Sequence, residues 1–339
     1  MATNASGREY NLIIGKQDSS ALVIGGDGSI DDADFVSGTR LFMRVDQVNG
    51  INYDAGFTTS EVLRSGRRSY EDGDMIRHYG SGTWSYDFDY LVENEIMLQT
   101  LMSLALDIAD TTGTITVTPA IANATNDYSH GLNSGDNCGI VLLEASTSGL
   151  SADDQVMHSA VLNNLTLSMS MGTDGGRVRA SGSFYSGYKP VVKDSGVTGA
   201  TTASNYEKGL FDFTTLTIGG HAVTCSDFSI TITNEAQRVG WQGASAEADG
   251  YVRGGLYDIS GSITVKYDAD TADALADWKA NTAYAIALND GSTWDFSIPN
   301  ARMTGHNIDF ADEGVFVEIP FTATTGAAGT GNLAVFKTS

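Results

Sequence analysis

Short runs in which apolar and polar residues alternate recur along most of this chain, a pattern typical of strands with one buried face. The clearest run is 228–233, where Phe, Ile and Ile alternate with Ser, Thr and Thr. An earlier run at 39–45 is predicted to be its counterpart. Apolar residues have helical spacing at about 92–106 and at about 271–280. The chain is therefore predicted to be mainly β, with two helices.

The predicted elements occur in the same order twice, as strand, long polar loop, strand, helix and three further strands. The first set occupies 35–188 and the second 209–325. In both sets the strand before the helix is opened by Ser-Gly followed by Ser or Thr, at 81–83 and at 260–262. Because 339 residues suffice for two domains of ordinary size, we predict two tandem β-sandwich domains, each with one flanking helix.

Three details of these elements are predicted from local pattern. The first helix is expected to have a broad apolar face that includes Ile96. The second is expected to begin at a capping Asp270 or Thr271. The penultimate strand of the second set is predicted as a single run, 294–308.

Four segments lie outside the repeated pattern. Residues 1–34 and 326–339 contain short apolar runs and are predicted to be arms that pair with the chain's own sheet edge or with a neighbouring molecule. Residues 189–208 have the composition of a linker. The first set is longer than the second, and its extra residues are predicted to form an insertion within 111–155.

The chain is strongly acidic, with 42 Asp and Glu against 19 Lys and Arg and a formal net charge of −23. Stable binding of nucleic acid needs clustered cations that neutralise phosphates, so this composition argues against it. An acidic surface instead repels DNA, which is useful to a protein along which DNA must pass without adhering.

No motif of catalysis, metal binding or cofactor binding is found. The five histidines are scattered, and Cys138 and Cys225 lack the spacing of metal ligands. An Asp-rich stretch at 27–34 has Val23 and Gly25 where a calcium loop needs its first ligands, so a solvated turn is preferred. We therefore expect no cofactor, no metal and no enzymatic activity, and neither a secretory signal nor a membrane span is predicted.

Two groups of charged residues are candidates for function. Asp87 and Asp89 lie on the same face of a predicted strand, either as a hydrolase-like carboxylate pair or, more simply, as a solvated strand face. Arginines stand in the two long loops, 46–80 and 234–259, where they either bind carboxylates of another subunit or only keep the loops soluble. These arginines are Arg64, Arg67, Arg68, Arg77, Arg238 and Arg253.

Three segments of the second set carry a family resemblance. They are SGSITVKYDADTADALADWKA at 260–280, WDFSIPNARMTGHNI at 294–308 and GVFVEIPFTATTG at 314–326. With these residues the chain resembles the major tail tube proteins of long-tailed bacteriophages. The order of elements in the first set fits the same unit, with VLNNLTLSMSM at 161–171 in the place of the later strand.

The resemblance implies a β-sandwich whose inner sheets join around a ring into a continuous barrel, and rings that stack into the tube through which the genome leaves the capsid. The long loops and the N-terminal arm would bridge stacked rings, which makes the six arginines candidates for contacts between rings. Asp87 and Asp89 become candidates for the lumen. A duplicated chain would close as a trimer with pseudo-sixfold symmetry, with a hexamer as the alternative.

Partners and location follow from the same resemblance. The expected partners are further copies of the chain, the tape measure protein, the tail terminator and tail tip proteins, and DNA in transit only. The expected location is the virion tail, after assembly in the host cytoplasm. Two other functions remain open: a virion β-sandwich that binds host or carbohydrate through Trp84, Trp241 and Trp294, and a hydrolase that uses Asp87.

Overall fold

The computed structural model describes most of the strand-forming parts of the chain. The described residues are 10–18, 30, 32–36, 41–43, 49–54, 57–59, 75–77, 83–92, 95–106, 114–117, 138–145, 154–192, 197, 209–213, 215–234, 236–239, 248–253, 258–280, 282–291, 294–311, 314–324 and 334–338.

Within these residues the fold is mainly β, as predicted, with two α-helices. The helices are α1 (Glu95–Leu106) and α2 (Ala269–Lys279). The strands are β1 (Tyr10–Lys16), β2 (Leu41–Met43), β3 (Asn52–Asp54), β4 (Phe57–Thr59), β5 (Met75–Arg77), β6 (Thr83–Leu91), β7 (Thr114–Val117), β8 (Gly139–Ala145), β9 (Gln155–Ser170), β10 (Arg179–Ser186), β11 (Val191–Val192), β12 (Thr215–Ile218), β13 (His221–Ala222), β14 (Cys225–Thr233), β15 (Ala236–Val239), β16 (Gly250–Arg253), β17 (Asp258–Lys266), β18 (Tyr284–Asn289), β19 (Trp294–Met303), β20 (Asn307–Ala311), β21 (Gly314–Ala323) and β22 (Ala334–Thr338).

One antiparallel layer runs through the whole molecule in the order β3, β6, β10, β9, β14, β17, β21 and β20. We call these eight strands the inner sheet. Its centre is the pairing of β9 with β14, in which Leu167 lies opposite Ile230. Strands from the first and second predicted sets are thereby joined into one continuous sheet.

The remaining ladders form a second layer in two parts. In the N-terminal part β2, β1, β8, the beginning of β9 and β11 pair in that order. In the C-terminal part the order is β13, β12, β18, β19, β22 and β7. Leu12 and Val141 of this layer share one buried cluster with Phe88 and Leu165 of the inner sheet, the packing of a β-sandwich.

Both helices lie close to their predicted positions, with two corrections. Helix α1 begins at Glu95, and Ile96 is 40% exposed, whereas Leu98 and Met102 are buried on the face that contacts the sheets. Helix α2 is capped by Asp268, whose carboxylate accepts the Thr271 N–H at 3.1 Å. Neither helix of the described residues has the length and apolar character needed to cross a bilayer.

The inner sheet divides into an N-terminal half (β3, β6, β10 and β9) and a C-terminal half (β14, β17, β21 and β20). The two halves have matching hydrogen bonds. Just beyond β6 the Val92 N–H donates to the Val178 carbonyl, and just beyond β17 the Tyr267 N–H donates to the Val315 carbonyl, both at 2.9 Å. Strands β6 and β10 are thus paired as β17 and β21 are. This correspondence aligns β6 with β17 at a separation of 175 positions (267 minus 92).

The same alignment corrects which strand of the first set corresponds to β14. Thr231 of β14 lies opposite Ser260 of β17, and the position in β6 that matches Ser260 is Ser85, which lies opposite Asn52. The counterpart of β14 is therefore the segment that contains β3. The described residues of 39–45, Leu41–Met43, pair instead with β1 in the second layer.

Each predicted arm contains a strand that is paired within this chain. Ile13 of β1 lies opposite Leu142 of β8, and Phe336 of β22 lies opposite Phe296 of β19. From the predicted insertion, β7 pairs with β22. The extra length of the first set lies mainly between α1, which ends at Leu106, and β8, which begins at Gly139.

The prediction of one strand over 294–308 is wrong. Strand β19 ends at Met303 and β20 begins at Asn307, with Thr304 donating its N–H to the Pro320 carbonyl between them. The matching strand β9 runs unbroken for 16 residues. Residues 304–307 are Thr, Gly, His and Asn, so the apolar alternation stops at Met303 and resumes at Ile308 in the opposite phase. The sequence therefore marks the break, and the prediction of one strand overlooked it.

A polar sheet face and two open edges as the candidate functional site

The inner sheet has one apolar and one polar face. In β6, Tyr86, Phe88 and Tyr90 are buried in the core, and Asp87 and Asp89 project from the opposite face and are exposed. Burial of the phenols raises the pKa of Tyr86 and of Tyr90. The predicted pair of acids therefore lies on the face directed away from the core.

Residues that stand opposite one another across the ladders extend this polar face over the whole inner sheet. We call it the polar face. Its polar members include Asn52, Ser85, Asp87, Asp89, Asn164, Thr166, Ser168, Ser170, Arg179, Ser181, Ser183, Asp227, Ser229, Thr231, Thr233, Asp258, Ser260, Ser262, Thr264, Lys266, Asn307, Asp309, Glu318 and Thr322. Hydroxyl groups and carboxylates predominate among them.

Hydroxyl pairs connect neighbouring strands on this face. Thr166 and Thr231 lie 3.0 Å apart between their Oγ1 atoms, across the β9–β14 junction. Ser229 and Ser262 are likewise 3.0 Å apart between their Oγ atoms. Short side chains bonded to each other leave a smooth surface with few groups that protrude from it.

The cation at the N-terminal end of the polar face is paired with acids. The Arg179 guanidinium donates to Asp89 at 2.6 Å and to Asp174 at 3.0 Å. The hydrogen bond to Asp89, supported by the charge of both acids, raises the pKa of Arg179. Its positive charge is thus balanced locally by two carboxylates.

At the other end of the face, a hollow of about 440 Å³ borders β20. Its lining includes the carboxyl groups of Asp227, Asp309 and Glu318. Among the described residues no group of three or more His, Cys, Asp or Glu is arranged to hold a metal ion. The hollow is therefore an acidic part of the polar face.

Both edges of the inner sheet are open as far as the structure describes the chain. Among the described strands, β3 pairs only with β6, and β20 pairs only with β21. Phe310 of β20 is 78% exposed. A large apolar side chain on an unpaired strand edge is typical of a surface that another chain covers.

The arginine candidates are only partly within the described residues. Arg64, Arg67 and Arg68 lie outside them, and Arg77 and Arg253 are described only as backbone at the ends of β5 and β16. Arg238, on β15, lies against Gly187 and beside Tyr185 of the N-terminal half.

Tyr251 fixes the β15–β16 hairpin, which belongs to the second long loop, to the N-terminal half. Its buried hydroxyl accepts the Gly187 N–H at 2.9 Å and donates to the Ser159 carbonyl at 2.7 Å. Sequence reasoning missed Tyr251, since nothing in the pattern of one loop indicates which distant backbone groups it will meet.

Other candidates have less support. Of the three tryptophans considered for sugar binding, Trp84 is half-buried against the core, Trp241 lies outside the described residues, and Trp294 is described only as backbone. Cys138 is buried, and burial raises the pKa of the half-buried Cys225 to about 12. Neither thiol is positioned for chemistry at neutral pH.

Comparison with protein families tests the resemblance. The model of the family described as phage tail tube protein matches residues 12–324. The chain belongs to this family. The match extends from β1 to just beyond β21, so it includes both halves of the inner sheet. A search of curated proteins gives no match. As a phage tail tube protein the chain is a structural component of the virion tail, which confirms the resemblance seen in the sequence.

Proposed function

We propose that three copies of this chain form a closed ring, that the polar face of each lines a channel, and that stacked rings form the tube through which DNA is ejected. The observation that supports this best is the inner sheet itself. An open sheet of eight strands, whose edge strands β3 and β20 each pair on one side only among the described strands, is stabilised when it closes on further copies.

We propose that the chain is a duplicated tail tube unit. The matched bonds of Val92 and Tyr267 support this, as does the equivalent pairing of β6 with β10 and of β17 with β21. Because β1 and β22 are paired within the chain, we propose wider limits for the two units than the sequence indicated. The first then runs from β1 to β11 and the second from β12 to β22.

The number of strands favours three chains over six. Eight strands from each of three chains, about 4.8 Å apart and tilted by about 40°, close a barrel about 50 Å across between backbones. After the lining side chains are subtracted, such a channel has room for one DNA duplex. Six chains would give about twice that diameter, far more than one duplex occupies.

The polar face has the chemistry expected of a channel lining. Acids such as Asp87 and Asp258 repel phosphates, and Arg179 is balanced by Asp89 and Asp174. Hydroxyl pairs satisfy each other and offer DNA no strong contact. DNA in such a channel would be neither bound by clustered cations nor held at particular bases.

Stacking of rings is assigned to the two long loops. We propose that Arg64, Arg67 and Arg68, in a chain that is acidic elsewhere, bind carboxylates of the next ring. The same role is proposed for Arg77, Arg238 and Arg253. The tape measure protein inside the tube, and the terminator and tip proteins at its ends, are the proposed further partners.

The triple variant Arg64→Glu, Arg67→Glu and Arg68→Glu tests the stacking role. Because like charges would then face each other, tube yield should fall at least tenfold while single rings and the melting temperature are retained. Tube length in electron micrographs is the measurement. Tubes of normal length and yield would remove these arginines from the contact between rings.

Negative-stain electron microscopy of the purified protein tests the function as a whole. Rings or tubes with a central hole are expected. A protein that stays monomeric at every concentration and salt condition would contradict the proposal.

A further inference from the structure

The β9–β14 pairing is an internal copy of the contact that ring closure requires. On the proposed function, the inner sheet of one chain must continue into that of the next. Within the chain this continuation occurs where the first unit meets the second, with Met169 opposite Phe228 and Thr166 opposite Thr231. A ring of repeated units uses similar contacts at every junction.

The ladders identify which residues occupy the same places at the open edges. Arg179 of β10 lies opposite Ser168, and the matching residue of β21, Phe316, lies opposite Asp309. Position 309 in β20 therefore corresponds to position 168 in β9. On the other side, Asn52 of β3 corresponds to Thr231 of β14, because both lie opposite matched serines, Ser85 and Ser260.

We propose that β20 of one chain pairs antiparallel with residues 49–54 of the next chain, with Asn307 opposite Asn52, Ile308 opposite Ile51 and Phe310 opposite Asn49. This is the β9–β14 register transferred to the open edges. The partner is a second copy of this same chain.

The side chains at these positions fit the register. Ile51 and Ile308 are both half-buried against the main core, where their counterparts Ile230 and Leu167 are fully buried. Asn52 and Asn307 are both exposed, and amide groups opposite one another can bond across the junction as the hydroxyls of Thr166 and Thr231 do.

The large and the small side chain exchange sides at this contact, and the small one is polar: the Asn49 amide donates to the Asp87 carbonyl of its own chain at 3.0 Å. At the internal junction a large Phe228 lies opposite Met169, and both are buried. At the open edges a small polar Asn49 takes the place of Phe228, and the larger Phe310 takes the place of Met169. Phe310 would thus lose its 78% exposure against the neighbouring chain.

The test is a disulfide across the junction. Asn52→Cys and Asn307→Cys in one chain place two thiols directly opposite each other between neighbours, at a Cα separation that a disulfide allows. The native thiols should not interfere, since Cys138 is buried and the pKa of Cys225 is raised to about 12. The matched control combines Asn52→Cys with Asp309→Cys, a diagonal pair about 7–8 Å apart that a disulfide does not span well.

After mild oxidation at pH 8, a denaturing gel without reductant should show most of the Asn52→Cys, Asn307→Cys variant as cross-linked chains. The largest cross-linked species should contain three chains. The diagonal control should run as single, unlinked chains. If micrographs show rings but the first pair does not link, or the diagonal pair links instead, the register is overturned and the proposed function stands. Absence of rings in both variants and in the native protein overturns the proposed function and the register together.

Discussion

Strands β9 and β20 hold equivalent places in the inner sheet, yet one is covered and the other is open. Strand β9 is paired on both sides, and its Met169 is 5% exposed. Strand β20 is paired on one side among the described strands, and its Phe310 is 78% exposed. On the proposed function, this difference marks the junction between neighbouring chains: the same sheet position is paired inside the chain once and would be paired by another molecule once.

The two halves also differ in the chemistry of matched positions. Tyr86 and Tyr90 of β6 correspond to Gly261 and Val265 of β17, and Arg179 of β10 corresponds to Phe316 of β21. The backbone plan is kept while the core and the polar face are rebuilt with different side chains. Each prediction below uses a residue elsewhere as its control.

Phe310→Asp is expected to have the largest effect, the loss of ring assembly. Burial of a phenylalanine contributes about 1.5–3 kcal/mol, and an unpaired carboxylate at the same place adds a desolvation cost at every junction. Sedimentation velocity should show monomer at concentrations where the native protein forms rings. Unfolding of the monomer should be almost unchanged, because the side chain is exposed in the single chain.

Ala285→Asp is the matched control for that variant. Ala285 is exposed on β18, which is paired on both sides within the chain. It should assemble normally. Equal loss of assembly in both variants would show that an added charge, and not the open edge, is responsible.

Alkaline pH should destabilise the N-terminal half through its tyrosines. Burial raises the pKa of Tyr90, so its phenol stays protonated in the fold while an unfolded tyrosine ionises near pH 10. Stability is therefore constant below about pH 10 and falls above it, by about 1.4 kcal/mol per pH unit for each such group. Chemical denaturation between pH 8 and pH 11.5 measures this loss.

Tyr90→Phe should reduce the alkaline loss and cost little at pH 7, because the buried Tyr90 hydroxyl has no hydrogen-bond partner among the described residues. The control is Tyr267→Phe, which alters a 43% exposed residue. A steep alkaline loss that persists in Tyr90→Phe would mean that other groups, such as Tyr251, carry it.

Gly261→Ala and Gly182→Ala should each destabilise the monomer by about 1–3 kcal/mol. An added Cβ at Gly261 would lie 2.6 Å from the Phe321 ring, and one at Gly182 would lie 2.8 Å from the Phe88 ring. Gly50→Ala is the control, since nothing lies within 4 Å of a Cβ there. Thermal unfolding of all three variants is the measurement, and an unchanged melting temperature in either Gly261→Ala or Gly182→Ala would contradict the close packing at that glycine.

Asp89→Asn should have the smallest effect, less than about 1 kcal/mol, because the ion pair with Arg179 is exposed to solvent. Asp87→Asn serves as the control, since Asp87 forms no ion pair with any described residue. The informative measurement is retention of DNA by assembled tubes at low salt. Asp89→Asn should raise retention more than Asp87→Asn, because only the former leaves Arg179 partly unbalanced.

The strands with clear alternation could be predicted from the sequence. The run at 228–233 forms β14 with its apolar residues buried, and Asp87 and Asp89 are exposed as a solvated strand face requires. The strand equivalent to β14 in the N-terminal half could not be predicted. The segment that contains β3 is short and polar, and only its ladder to β6 shows its place. The run at 39–45 is more apolar and resembles β14 by pattern alone, because an apolar pattern indicates burial but does not indicate which layer a strand joins.

Other features depend on distant contacts. Tyr251 bonds to Gly187 and Ser159 far away in the chain, which no local pattern encodes. The break between β19 and β20 is marked in the sequence by Thr, Gly, His and Asn at 304–307, but the place of β20 at the sheet edge follows only from its pairing with β21. The family was visible in the sequence because it is carried by spacing around a strand and a helix, at 260–280.

The mass of the closed ring tests the central claim most directly. If one chain supplies two adjacent sectors of a six-sector ring, native mass spectrometry of isolated rings should give three chains of 35.8 kDa. An end-on average should then show six similar sectors with only threefold symmetry. A ring of six chains would contradict the account, because each chain would then supply a single sector.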